Sequence, residues 1–246
     1  MNEDRLRFSG KIVAEMTIFV ALATALSYVR VFRLPQGGSV TAGSMVPIIW
    51  FSLRRGPKLG LFFCTFYGLV QLFMEPFIFH PLQVLLDYPI AFGMLGLAGF
   101  FQKRPVSGRQ RFVIAERLVP LILGSISLVL FVYELTQFAV IESLFFFWLS
   151  AFSFSLFLWL QTKRKKVMLT ENLVTPALIG TAVGVLGRFI AHFVSGVVFF
   201  GSYAPEGMSP IVYSAIYNGT YIIPELLVSF YLMYLVAKSN LLTLFK

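Results

Sequence analysis

Long apolar runs separated by short polar segments dominate this chain. Runs rich in Leu, Ile, Val, Phe and Ala occupy about residues 12–33, 40–53, 58–76, 81–101, 113–134, 141–161, 173–200 and 210–237. A helix needs roughly 20 apolar residues to cross the hydrocarbon of a bilayer. The second run, roughly 14 residues, is short for an ordinary crossing helix. The runs are continuous. A membrane β-barrel would instead show ~10-residue segments of alternating polarity, and it is excluded on that ground. The pattern predicts an all-α, polytopic membrane helical bundle with eight spans.

Composition agrees: 58% of residues are hydrophobic, only 13% are charged, and the mean hydropathy is +0.82. The net charge of +9 does not signal nucleic acid, because the basic residues gather in short loops between apolar runs. Arg5, Arg7 and Lys11 lie on one side, joined by Arg54, Arg55 and Lys58, by Lys103, Arg104, Arg109, Arg111 and Arg117, by Lys163, Arg164, Lys165 and Lys166, and by Lys238 and Lys246. The segments 34–39, 77–80, 135–140 and 201–209 of the other side contain no Lys or Arg. This asymmetry predicts a cell-membrane protein with both termini in the cytoplasm. Arg30 and Arg33, at the end of the first run, break the pattern. The first run follows basic residues and is long, so it reads as a retained helix. Cys64 lies in an apolar run and reads as a small buried hydrophobe.

Ionisable residues within such runs are costly and mark sites or structural partners. Asp87 lies about one and a half turns into its span, and Gln83 shares its face at i, i+4. Two roles fit Asp87: a hydrogen bond to a neighbouring helix, or a carboxylate that meets a cationic ligand. Tyr88 beside it offers an aromatic wall. His192 lies about 12 Å below the outer end of its span, at a depth like that of Asp87. It reads as a core histidine bonded across helices or as part of the same site. Arg188 is one turn deeper, and Glu225 lies at similar depth, which suggests a buried Arg188–Glu225 pair. Tyr213, Tyr217 and Tyr221 recur at i, i+4 and i+8, with Asn218 among them. An interfacial belt accounts for Tyr213, whereas Asn218 needs a partner and suits an aminopyrimidine-like edge. Ala21 and Ala25 form a small-xxx-small pair that lets helices approach closely. The turn-rich segments around Pro35–Ser39 and 201–207 suit lids or plain connectors. There is no P-loop, no metal-ligand cluster and no catalytic constellation. No cofactor and no enzymatic activity are expected.

Several motifs together resemble one family. They are Leu34-Pro35-Gln36-Gly37-Gly38-Ser39-Val40, Met45-Val46-Pro47-Ile48, Ser52-Leu53-Arg54-Arg55-Gly56, His80-Pro81-x-Gln83-x-Leu85-Leu86-Asp87-Tyr88, His192-x-x-Ser195-Gly196-x-x-Phe199-Phe200-Gly201-Ser202-Tyr203-Ala204-Pro205 and Tyr213-Ser214-x-x-Tyr217-Asn218-x-Thr220-Tyr221. They are similar to the thiamine-specific substrate-binding (S) components of energy-coupling factor transporters, over roughly residues 10–102 and 173–238. The resemblance implies a six-helix core and a thiamine pocket near the extracellular face. It also implies partnership with a transmembrane coupling protein and two cytoplasmic ATPases. It places ligand-binding roles on Asp87, Tyr88, His192, Phe200 (Trp in some relatives), Tyr213 and Asn218, with Gln83, Tyr217 and Gly38 as further pocket candidates. Ala21 and Ala25 fall on the family's docking motif for the coupling protein.

The chain departs from that pattern by a hairpin at about 113–161. The expected organisation is therefore helices 1–4 in residues 1–102, an inserted transmembrane hairpin with basic flanks in 103–170, and helices 5–6 in 171–246. Thiamine suits the residues, since Asp87 would offset its thiazolium charge, aromatic faces attract a cation, and His192 and Asn218 could read the pyrimidine edge. An S component for another vitamin or a thiamine precursor, an integral-membrane enzyme and a purely structural subunit are the competing readings.

Overall fold

The computed structural model describes residues 10–102 and 173–239. The predicted hairpin 113–161, its residues Glu116, Glu134 and Glu142, and the unit 103–170 lie outside the described residues. The chain divides into two compact units, Met1–Lys103 with Pro176–Lys246, and Arg104–Thr175; the fold below concerns the first.

Its elements in chain order are helix α1 (Gly10–Tyr28), strands β1 (Arg30–Arg33) and β2 (Ser39–Thr41), and helices α2 (Met45–Arg55), α3 (Pro57–Met74), α4 (Pro81–Phe101), α5 (Val174–Phe199) and α6 (Pro210–Lys238). A 3₁₀ turn, Gly201–Tyr203, joins the last two. Five of the described helices, α1, α3, α4, α5 and α6, are long and apolar enough to cross a membrane.

Two expectations need correction. The run 12–33 is not helical throughout. The helix stops at Tyr28, and Arg30–Arg33 pairs antiparallel with Ser39–Thr41, in the register Arg30↔Thr41, Phe32↔Val40 and Arg33↔Ser39. Burial alternates along Arg30-Val31-Phe32-Arg33, intermediate then exposed, as in a strand with one face against the protein. The chain reverses through Leu34–Gly38, where Gly37 takes φ 93°, a conformation that favours glycine. The bundle is therefore not purely α. The run 40–53 is likewise not a full helix. Helix α2 has 11 residues, about 16 Å at 1.5 Å per residue, and the rest of the run belongs to β2 and its turn. Gly56 at φ 85° ends α2, and Pro57 at the first position of α3 starts the next helix.

Helix α4 changes character along its length. His80 caps it: Leu82 N–H donates to His80 Nδ1 at 3.2 Å, and Gln83 closes a capping box. Pro89 lies inside and has no N–H to give, and the turn Leu86–Ile90 opens into a π-helix. The last part, Leu95–Phe101, tightens to 3₁₀. This latter half lies close against α3. A Cβ on Gly96 would stand 2.5 Å from the Leu61 backbone, and one on Gly99 2.5 Å from that of Gly56. Helix α5 uses the same device, since a Cβ on Gly184 would lie 3.0 Å from Leu95 O. Small residues allow such backbone approach. At this end Glu15 of α1 pairs with Arg55 and, at 3.3 Å, with Arg54. Phe51, Phe63 and Tyr67 are fully buried between α2, α3 and α4.

Candidate ligand-binding site

The opposite ends of α3–α6, together with the β1–β2 hairpin, enclose a cavity of about 130 Å³. The hairpin supplies Gln36–Ser39, α3 and its following loop supply Gln71, Glu75 and Phe77, and α4 supplies Gln83, Asp87, Tyr88 and Phe92. Arg188, His192, Gly196 and Phe200 close it from the α5 side, and Tyr213, Ser214, Tyr217, Asn218 and Tyr221 from α6. All nine residues singled out as ligand-binding candidates (Gly38, Gln83, Asp87, Tyr88, His192, Phe200, Tyr213, Tyr217 and Asn218) therefore line one cavity.

Asp87 is its centre. It sits in the π turn, with 16% of its side chain exposed. Oδ1 lies 3.0 Å from His192 Nδ1. Oδ2 accepts from Gln83 Nε2 at 2.6 Å. The depth match between Asp87 and His192 thus becomes direct contact. Gln83 is buried and fully used, since it also donates to Phe77 O and accepts from Phe79 N–H at 3.0 Å. Tyr88 donates to Glu75 O and accepts from Phe77 N–H, both at 2.7 Å. Its hydroxyl is thereby spent on shaping the α3–α4 loop, and its ring is left as wall.

Phe200 stands between Phe77 and Phe79, with ring centroids 5.9 and 5.7 Å away. Tyr213, Tyr217 and Tyr221 form a ladder down α6, successive centroids 5.9 and 6.0 Å apart. Tyr217 OH accepts from Gly38 N–H at 3.3 Å and ties the hairpin to α6. Gly38 is required here, because a Cβ would lie 2.6 Å from the Tyr221 ring. Asn218 is buried. Its Nδ2 donates to Ser214 O at 2.9 Å and to His192 O at 3.3 Å, and its Oδ1 accepts from Tyr221 OH at 2.7 Å. In this structure it locks α5 to α6.

The suggested Arg188–Glu225 pair is not a direct contact, although the two charges lie close enough to attract. Arg188 Nε donates to His192 Nε2 at 3.3 Å, and its guanidinium lies 4.4 Å above the Phe92 ring. Glu225 instead accepts from Thr41 N–H at 2.7 Å and from the Thr41 hydroxyl, anchoring the end of β2. Equal depth placed the two residues at one level. It did not set which hydrogen-bond partner each would take.

Sequence reasoning missed Glu75. It lines the cavity and forms an ion pair with Arg30. A signal existed: Arg30 broke the charge pattern at the end of one span, and Glu75 stands at the same-side end of another. Phe77 and Phe79 were also missed. Ala21 and Ala25 take no part in the cavity; both are exposed on α1. Among the described residues no group of His, Cys, Asp and Glu could hold a metal ion.

A family model described as Thiamine transporter protein (Thia_YuaJ) matches residues 13–244. The Thiamine transporter ThiT of Bacillus subtilis (strain 168) is 30% identical over 217 residues, 87% of this chain and 83% of that protein. The Thiamine transporter ThiT of Lacticaseibacillus paracasei is 25% identical over 220 residues, 85% of this chain and 77% of that protein. A solved structure of ThiT from Listeria monocytogenes aligns with a TM-score of 0.59 at 20% identity, covering 94% of this chain and 97% of that one. That likeness shows a shared fold.

Proposed function

The chain belongs to the thiamine transporter protein family, a family of transporters and not of enzymes, and on that premise we propose that Asp87 is the group that meets the thiazolium charge of bound thiamine. The observation that carries this reading is a carboxylate opening onto a cavity walled by aromatic rings inside the bundle. Desolvated there, an anion attracts a cation more strongly than it would in water. Tyr88, Phe200, Tyr213 and Tyr217 supply ring faces, and a cation over a ring gains roughly 0.5–2 kcal/mol. In this reading Asn218 meets the aminopyrimidine by exchanging one of its present hydrogen bonds for the ligand, His192 holds Asp87 and offers its ring face, and Gly38 lets the hairpin come down over the ligand.

The chain acts as the S component of an energy-coupling factor transporter. It takes thiamine from the extracellular side and works with a transmembrane coupling protein and two cytoplasmic ATPases. The exposed Ala21 and Ala25 form the face on which the coupling protein docks. Both termini are cytoplasmic, and the segment 113–161 adds two spans to a six-helix core.

Calorimetric titration of the purified chain with thiamine, its phosphates, its isolated pyrimidine and riboflavin tests the binding. Saturable, ATP-independent binding of thiamine is expected; preference for riboflavin or for the isolated pyrimidine would reassign the substrate. A bulky residue at Ala21 or Ala25 should block uptake by cells and leave binding by the isolated chain near normal.

A further inference from the structure

The Asp87 carboxylate lies in the middle of a hydrogen-bond chain whose direction is legible atom by atom. At one end, Phe79 N–H and His80 N–H donate to Gln83 Oε1 at 3.0 and 3.4 Å. That fixes which way the amide faces. Its Nε2 donates to Phe77 O at 3.1 Å and to Asp87 Oδ2 at 2.6 Å. At the other end, Arg188 Nε lies 3.3 Å from His192 Nε2. A guanidinium can only donate, so His192 Nε2 accepts and carries no proton. The ring proton is then on Nδ1, which donates to Asp87 Oδ1 at 3.0 Å. Asp87 receives a donor on each oxygen and gives none.

We propose that Arg188 is a positioning residue for ligand capture: it locks His192 as the neutral Nδ1–H tautomer, which together with Gln83 holds Asp87 as a carboxylate facing the cavity. Arg188 is suited to this role because its guanidinium is itself held over the Phe92 ring at 4.4 Å. Without the donor, the Nε2–H tautomer becomes accessible. Its bare Nδ1 would face the Asp87 oxygen, so that the ring turns away or the carboxyl takes up a proton. Either change removes the anion that a cationic ligand needs. The inference rests on the reading of Asp87 as the cation-binding group, yet the tautomer is a property of the protein alone.

The chain contains two histidines, and the second is a built-in reference. His80 Nδ1 accepts from Leu82 N–H at 3.2 Å, so a neutral His80 carries its proton on Nε2. The two rings are opposite tautomers.

Full-length protein labelled with ¹⁵N-histidine, ligand-free at pH about 8, where an exposed imidazole is neutral, tests this by the nitrogen shifts. His80→Asn, which preserves a capping side chain, assigns the signals. One histidine of each tautomer is expected, with the Nδ1–H form belonging to His192. Arg188→Leu should turn the His192 signals into a mixture and weaken thiamine binding about tenfold. Arg188→Lys, whose ammonium can also only donate, should restore the Nδ1–H form. A wild-type His192 protonated on Nε2, or on both nitrogens, overturns the proposal, as does an unchanged His192 spectrum in Arg188→Leu. The wild-type spectrum decides even where a variant fails to fold. Absent thiamine binding would instead sink the functional reading and leave the tautomer result standing.

Discussion

The two ends of the bundle are built from different materials. At the cavity end, large side chains line the space and elements are joined mainly by polar contacts: Asp87 to His192, Tyr88 to the Glu75 carbonyl, Asn218 to the His192 carbonyl, and Tyr217 to Gly38, with close glycine approaches at Gly68, Gly196 and Gly38. At the end that carries Arg54 and Arg55, helices touch backbone to backbone through Gly96, Gly99 and Gly184, and Gly60 admits the Ser52 side chain. The same helix, α4, belongs to both. Its first part is capped and carries the π turn; its last part is a 3₁₀ helix pressed against α3. In lipid there is no hydrophobic drive between helices, so association rests on close packing and hydrogen bonds. The glycine end supplies close packing. That leaves the other end free to spend its hydrogen bonds on holding a cavity open.

The strongest way to break this division is to fill the glycine end. Gly96→Val adds atoms where even a Cβ would stand 2.5 Å from Leu61 backbone, and overpacking typically costs about 1–3 kcal/mol and more where backbone must move. Loss of monodisperse protein or a large fall in Tm in detergent is expected, with binding lost as a consequence. A variant that stays as stable as wild type would show that α3 and α4 are not held by this contact.

Asp87→Asn should do the reverse. Losing a charge-assisted contact costs roughly 1.5–3 kcal/mol, about 10- to 150-fold in Kd. Thiamine should lose more than a neutral-ring analogue in parallel titrations, while the protein stays folded. Equal losses for both ligands would assign Asp87 to helix packing.

Gly38→Ala probes the junction of hairpin and cavity. The added methyl meets the Tyr221 ring, so the turn must lift, and an affinity loss of about tenfold, or 1.4 kcal/mol, is expected. Unchanged affinity would mean that the hairpin does not need its present height over the site.

The smallest effect concerns the segment 113–161. On the proposed two-span reading, replacing it by a short polar loop removes an even number of crossings and leaves the other helices in their orientation. Thiamine affinity should then stay within about tenfold, with any change appearing in stability or in assembly with the coupling protein. A well-folded deletion that binds more weakly than this would place part of the site in that segment.

Much of the site was legible before any coordinates. Counting residues from the ends of their spans put Asp87 and His192 at one depth, and the motifs they belong to drew in Phe200, Tyr213 and Asn218. The same counting misled for Arg188 and Glu225, which share a level but engage His192 and Thr41 respectively. It also passed over Glu75, whose partner Arg30 lies on a strand that the apolar run had disguised as helix. An apolar run extends through 29–33 whether the backbone there is helical or extended; only pairing with Ser39–Thr41 decides.

By itself, then, the sequence determined the membrane setting, the family and the shared level of Asp87 and His192, because hydrophobic length and residue count act along the helix axis alone. Rotation about that axis is set by contact with neighbouring helices. Only the tertiary structure could therefore decide that His192 faces Asp87, that Arg188 turns to His192 rather than to Glu225, and that a two-stranded hairpin covers the cavity.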